Sequence, residues 1–103
     1  MSGMVFVQRA ARADLRSAYR WYEDREQGLG ERFLLSVRAI FLEISRNPEI
    51  FPIRFDSFRR ALVGKFPYTI SYGIENDRIV VYAVFHTSRD PESLKRRLRG
   101  DKS

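Results

Sequence analysis

The sequence contains no cysteine, which excludes disulfide bonds and thiolate metal ligands. Its single histidine, His86, has no cluster of carboxylates around it at metal spacing, so neither a metal nor a cofactor is predicted. No apolar run reaches the roughly 18 residues that a transmembrane helix needs. The first residues, Met1 to Arg9, lack the basic-then-apolar layout of a secretory signal. These absences predict a cytoplasmic protein with no membrane association.

Positive charge dominates what is present. The 103 residues carry a net charge of +6, and residues 58–103 hold ten basic and five acidic side chains. Most of the basic residues are arginine, which suits bidentate contact with carboxylates and phosphates. An anionic partner is predicted, either a nucleic acid or an acidic protein segment, and the alternative is charge that serves solubility alone.

Hydrophobic periodicity predicts one α+β domain with the order β-α-α-β-β-β. Its elements are a strand at 4–8, helices at 11–26 and 31–46 joined by a tight turn, and strands at 58–63, 68–74 and 78–85. The helices are expected to form an antiparallel hairpin on one face of a mostly antiparallel four-stranded sheet. The last strand is apolar on both faces and is therefore expected to be central, with helices on one side.

The domain is predicted to span residues 4–98, followed by a basic tail at 99–103. It would end in a short helix from Pro91 to Leu98, with Asp90 as the cap and Pro91 in the first turn. The tail and its approach hold Lys95, Arg96, Arg97, Arg99 and Lys102. These side chains either contact an acidic partner or nucleic acid, or they are simply solvated.

Several side chains are candidates for chemistry or binding. His86 lies at the end of the last strand, where it is either a general acid or base or a half-exposed residue without a role. Trp21 lies at the edge of the first helix's apolar stripe and is predicted to be core. The basic residues assigned to the sheet or its edges are Arg59, Arg60, Lys65, Arg78 and Arg89.

Arg59 and Arg60 are adjacent on a strand, so their side chains must point to opposite faces. They either help to form a phosphate-binding surface or protect an edge strand by charge. Leu35 and Leu42 share a face of the second helix, opposite the stripe that contains Val37 and Ile44. They either contact a partner or pack beneath the loop from Pro48 to Asp56.

Four groups of residues follow one another in a characteristic order. They are Ala13-Asp14-Leu15 with Trp21-Tyr22, then Asn47-Pro48, then Arg60 with Phe66–Tyr72, and last Val80–His86 with Arg89-Asp90-Pro91. Over about residues 5–98 this order resembles the RelE/ParE superfamily, the toxins of type II toxin–antitoxin modules. The resemblance implies the fold above and a hetero-oligomer with a cognate antitoxin, whose disordered, amphipathic C-terminal segment folds onto the toxin. We expect Leu35, Leu42 and Arg60 to bind that antitoxin.

The superfamily has two activities. Members similar to RelE cleave mRNA on the ribosome, and members similar to ParE, the plasmid stabilisation branch, poison DNA gyrase without a hydrolytic site. For a nuclease, the resemblance implies Arg59, His86 and Arg89 as the catalytic set.

Three positions depart from the nuclease pattern, although His86 substitutes in part. Ala61 and Thr69 stand where basic residues are expected, and Lys95 stands near the place of a C-terminal tyrosine. We therefore expect a gyrase-poisoning toxin with no catalytic residue. Its target-binding or phosphate-contacting residues would be Arg59, Lys65, Arg89, Arg96 and Arg97. A ribosome-dependent mRNA endonuclease and an inactive, antitoxin-binding member are the alternatives.

Overall fold

The computed structural model describes residues 3–100. Its elements, in chain order, are β1 (Val5–Val7), α1 (Arg9–Arg25), α2 (Leu29–Arg46), β2 (Ile53–Phe55), β3 (Phe58–Leu62), β4 (Tyr68–Glu75), β5 (Arg78–His86) and α3 (Pro91–Arg99). The predicted α+β fold is confirmed, including the Asp90 cap, whose side chain accepts a hydrogen bond from the Glu92 amide. Residues 101–103 of the predicted tail, Lys102 among them, lie outside the described residues. Within residues 3–100, no helix is long and apolar enough to cross a membrane.

The sheet has five strands in the order β1-β5-β4-β3-β2, so the predicted count of four is wrong by one. Only the β1–β5 pair is parallel; the other three pairs are antiparallel. The additional strand, β2, has three residues and follows Pro52, and its burial does not alternate. A strand this short shows no periodicity in sequence. It exists because Asp56, at a φ of 50°, reverses the chain and lays Ile53 beside Arg59.

The α1–α2 hairpin covers one face of the sheet. Its buried stripes contain Ala11, Ala18 and Tyr22 on α1, with Phe33, Val37, Ile40 and Ile44 on α2. The Glu23 carboxylate caps α2, because it accepts hydrogen bonds from the amides of Gly28 (2.8 Å) and Gly30 (3.0 Å). Gly30 is buried so close to α1 that a Cβ there would lie 2.8 Å from the Tyr19 carbonyl oxygen. A side chain at that position would force the helices apart.

The third helix, α3, covers part of the opposite face, which was predicted to carry no helix. Leu94 and Leu98 pack against Ala83 and Phe85 of β5. Both sides of β5 are therefore buried, one under the hairpin and the other under α3. This explains the run of apolar residues along β5 without any alternation.

β1 pairs with only part of the outer edge of β5, and no strand within the described part of the chain pairs with the rest of that edge. β1 pairs only with Ile79, Val80 and Val81, and beyond them the edge is closed by two side chains. The amide of Val84 donates to Asp14 Oδ2 at 3.0 Å, and Arg97 Nη1 donates to the Tyr82 carbonyl at 3.1 Å. Asp14 and Arg97 also form a two-point ion pair, with distances of 2.8 and 3.1 Å. This ion pair joins α1 to α3 around the edge of the sheet.

Candidate functional site

Two cavities meet at the C-terminal end of β5. The first, which we call the aromatic cleft, has a volume of about 420 Å³ and lies between α1 and the ends of β4 and β5. Its lining includes Trp21, Tyr22, Tyr68, His86 and Arg89. The second, which we call the basic groove, has a volume of about 190 Å³ and lies between α3 and the sheet. Its charged lining residues are Arg54, Arg60, Arg89 and Lys95, together with His86.

Trp21 is exposed over 51% of its surface, so its predicted place in the core is wrong. The buried stripe of α1 is centred on Ala18 and Tyr22, and Trp21 precedes Tyr22 by one residue, which turns it about a quarter-turn away. The indole contacts the Tyr22 ring edge-on at 5.1 Å, and the Arg25 guanidinium lies 4.1 Å from its centre. The cleft therefore has a large aromatic side chain at its rim.

Two tyrosines form the inner part of the aromatic cleft. Burial raises the pKa of Tyr22, and the neighbouring Tyr68 raises it further. Burial also raises the pKa of Tyr68, with Asp14 acting in the same direction and Arg89 opposing it. Both hydroxyls are therefore neutral at physiological pH, and they offer the cleft hydrogen-bond donors rather than negative charge.

His86 is exposed beside Tyr68, with their ring centres 5.2 Å apart. Its Nδ1 accepts a hydrogen bond from the Ser88 amide at 3.0 Å, and the Ser88 hydroxyl oxygen lies 2.8 Å from the same nitrogen. Because Nδ1 is an acceptor, the neutral ring carries its proton on Nε2. In this state neither ring nitrogen of His86 is a free acceptor, which does not suit a general base.

The basic groove has an excess of unpaired positive charge. Among residues 3–100, no carboxylate lies within 4.0 Å of Arg54, Arg60 or Arg89. Lys95 has a long contact of 3.6 Å with Glu92 at the exposed rim. The Nε of Arg60 is buried and has no hydrogen-bond partner, an arrangement that costs free energy.

The structure separates the side chains proposed for a nuclease. His86 and Arg89 lie together where the two cavities meet. Arg59 points to the opposite face from Arg60, as predicted, and is tied to the loop before β2. Its Nη1 donates to the carbonyls of Phe51 (2.7 Å) and Glu49 (3.1 Å). The contacts of Arg59 are therefore those of a residue that fixes a loop.

The remaining predicted target-contacting residues are dispersed. Lys65 is exposed in the turn between β3 and β4. Arg96 is exposed on α3, with a 3.3 Å hydrogen bond to Ser93 Oγ. Arg97 is occupied by its ion pair with Asp14, and its side chain is only 23% exposed. Of these three, only Arg97 has a clear structural role.

The two leucines of α2 are exposed, Leu35 over 58% and Leu42 over 57% of the side chain's surface. Packing beneath the loop from Pro48 to Asp56 is therefore wrong for both. Together with Arg38, Ala39 and Arg46, which are exposed at helical spacing, they form a surface that we call the outer α2 face. The exposed acids Glu31 and Glu43 lie at its edges. Arg60, predicted to bind the same partner, lies instead in the basic groove on the other side of the sheet.

Two functional features were missed from the sequence. Arg54 could not be assigned to the groove because β2, on which it lies, was not predicted. Asp14 was noticed only within a motif, although it is the first acidic residue in a basic N-terminal segment. An isolated acid in such a segment is a signal for a specific partner, but it does not identify Arg97.

The chain resembles known proteins in both sequence and structure. A family model described as the ParE toxin of the type II toxin–antitoxin system, parDE, matches residues 5–91. Among solved structures, the chain is similar to one from the chromosomal ParDE toxin–antitoxin system of P. aeruginosa, with a TM-score of 0.62. The two chains are 16% identical, and the match covers 82% of this chain and 96% of that one. This likeness shows a shared fold. No curated protein matches the sequence.

Proposed function

The chain belongs to the family of ParE toxins of type II toxin–antitoxin systems, and on that premise we propose that it inhibits growth by poisoning DNA gyrase. We further propose that a cognate antitoxin neutralises it as a hetero-oligomer in the cytoplasm, where gyrase and DNA are found. A plasmid-borne copy would serve plasmid stabilisation, because cells that lose the plasmid lose the antitoxin's supply.

The observation that supports gyrase over mRNA as the target is the position of Arg59. A nuclease built on Arg59, His86 and Arg89 needs all three around one phosphate. Arg59 instead donates to the carbonyls of Glu49 and Phe51 in the loop before β2, and it lines neither of the two cavities that hold His86 and Arg89. His86 also argues against a nuclease, since its Nδ1 accepts a hydrogen bond from the Ser88 amide and is not free to accept a substrate proton.

The outer α2 face is the surface we propose for the antitoxin. Leu35, Ala39 and Leu42 form an exposed apolar stripe, with the cations Arg38 and Arg46 beside it. An amphipathic helical segment matches that stripe in polarity, and acidic side chains on the segment would pair with Arg38 and Arg46. The buried stripe of α2 already holds the hairpin on the sheet, so the outer face is available without rearrangement of the core.

The experiment compares two purified systems given the same protein. One measures supercoiling and DNA cleavage by gyrase, and the other measures mRNA cleavage on translating ribosomes. With the toxin alone, we expect loss of supercoiling and intact mRNA. When the antitoxin is added before the toxin, supercoiling should be retained. Cleaved mRNA with normal supercoiling would overturn the proposal in favour of a nuclease. Normal results in both systems, with the antitoxin still bound, would identify an inactive antitoxin-binding member.

A further inference from the structure

We propose that the aromatic cleft and the basic groove together bind one nucleotide of a single-stranded nucleic acid, with the base in the cleft and its phosphate in the groove. The two cavities share His86 and Arg89, so a ligand that occupies both crosses the end of β5 there. This inference goes beyond gyrase poisoning and does not depend on which enzyme the toxin inhibits.

The groove has the chemistry of a phosphate site. Arg54, Arg60 and Arg89 have no carboxylate partner within residues 3–100, so their charge is available to an anion. Arg60 lines the groove, and a guanidinium there can donate charge-assisted hydrogen bonds to a phosphate oxygen.

The cleft has the chemistry of a base-stacking site. The indole of Trp21 is 51% exposed, and the rings of Tyr68 and His86 line the same space. The neutral hydroxyls of Tyr22 and Tyr68 offer donors for the polar edge of a base. The volume of about 420 Å³ lies within the range of pockets that hold small organic ligands.

A single strand fits this pair of cavities better than a duplex or an acidic peptide does. The cleft is a recess, and a base can enter it only after leaving its stack. Proteins that bind single strands usually combine aromatic side chains, on which bases stack, with a positively charged groove that follows the phosphates. An acidic peptide would satisfy the arginines of the groove, but it would leave the exposed rings of the cleft without a matching ligand.

The test follows binding of a short oligothymidylate through the fluorescence of Trp21, the only tryptophan in the sequence. An abasic strand of equal length keeps the phosphates and removes the bases, and polyglutamate represents an acidic protein. We expect the oligothymidylate to quench the fluorescence and to bind about tenfold more tightly than the abasic strand, a factor within the range that stacking on one base contributes. Polyglutamate is expected to bind more weakly than either strand.

Substitutions in the cleft and in the groove test the two parts of the site separately. The affinity of each variant is measured by the fluorescence anisotropy of a labelled oligothymidylate. Trp21→Ala is expected to weaken binding about tenfold. Arg54→Ala and Arg89→Ala should each lower the slope of log affinity against log salt by about 0.7, the value for one lost phosphate contact. Arg12→Ala, on the exposed side of α1 and outside both cavities, should leave affinity and slope unchanged. Unfolding midpoints check that each variant is folded.

Equal affinity for the oligothymidylate and the abasic strand would overturn the base site. Equal salt slopes for the Arg54→Ala, Arg89→Ala and Arg12→Ala variants would overturn the phosphate site. Tight binding of polyglutamate without binding of the oligothymidylate would overturn the proposal as a whole and identify an acidic protein segment as the ligand.

Discussion

Asp14 of α1 and Arg97 of α3 make the hydrogen bonds to the edge of β5 that a neighbouring strand would otherwise make. The carboxylate accepts from the Val84 amide, and the guanidinium donates to the Tyr82 carbonyl. The two groups then bind each other across 83 residues of sequence. Since buried backbone groups must be paired, this ion pair allows β1 to be only three residues long.

Asp14→Ala is expected to destabilise the protein strongly. It leaves the Val84 amide and the half-buried Arg97 without their acceptor, and removal of one partner of a buried pair costs about 3 kcal/mol. Urea denaturation measures the loss. Arg96→Ala removes a neighbouring, exposed arginine and should change the free energy of unfolding by less than about 0.5 kcal/mol. Equal stabilities of the two variants would contradict the structural role of the pair, as would additive effects of Asp14→Ala and Arg97→Ala.

Gly30→Ala should separate the two helices of the hairpin. The new Cβ would lie 2.8 Å from the Tyr19 carbonyl oxygen, which is backbone and cannot move aside alone, so we expect a loss of about 1–3 kcal/mol. The matched variant is Gly73→Ala in β4, where the nearest atom is 3.4 Å away in an ordinary contact. Thermal unfolding should show a clearly lower midpoint for Gly30→Ala. If the midpoints fall equally, close helix approach is not the reason for glycine at position 30.

Alkaline pH should destabilise the protein through three tyrosines. Burial is the main cause that raises the pKa of Tyr22, Tyr68 and Tyr72 above the ordinary value of 10.0. Below pH 10 these groups are protonated in both states and their contribution is fully present. As the pH rises further, the unfolded chain loses its protons first, so the free energy of unfolding falls until the folded pKa values are passed.

The free energy of unfolding measured across this range should fall less steeply in Tyr72→Phe than in the unmodified protein. The substitution also removes the 2.7 Å hydrogen bond from the Tyr72 hydroxyl to the Pro48 carbonyl, at a cost of about 1 kcal/mol that is independent of pH up to about 9. Identical slopes in the two proteins would show that Tyr72 ionises equally easily in the folded and unfolded chains.

Leu35→Glu and Leu42→Glu are expected to weaken antitoxin binding at least about tenfold, which is about 1.4 kcal/mol each. The change places a negative charge on the stripe that we propose meets an acidic, amphipathic segment. Leu62→Glu is the matched control, since Leu62 is 56% exposed but lies on β3. Isothermal titration with the antitoxin measures the affinities. A loss in Leu62→Glu as large as in the α2 variants would place the antitoxin elsewhere.

Local patterns account for what the sequence predicted of the fold. The helical repeats of Ala18, Tyr22, Val37 and Ile44 and the alternation around Tyr72 identify their elements, because burial on one face dictates a period. β2 could not be predicted in this way, since three residues show no period. Nor could the site, because Arg54, Arg60, Arg89 and Lys95 meet only after the strands have paired and α3 has docked.

The position of β1 in the sheet has a consequence for the order in which the elements can fold during synthesis. β1 leaves the ribosome before every other element of this fold, yet its strand neighbour is β5, where Val5 pairs with Ile79. The α1–α2 hairpin, by contrast, is held by contacts close in sequence, which form early and quickly. During synthesis the face proposed for the antitoxin can therefore form before the sheet is complete. An antitoxin already present could meet the nascent toxin before its two cavities exist.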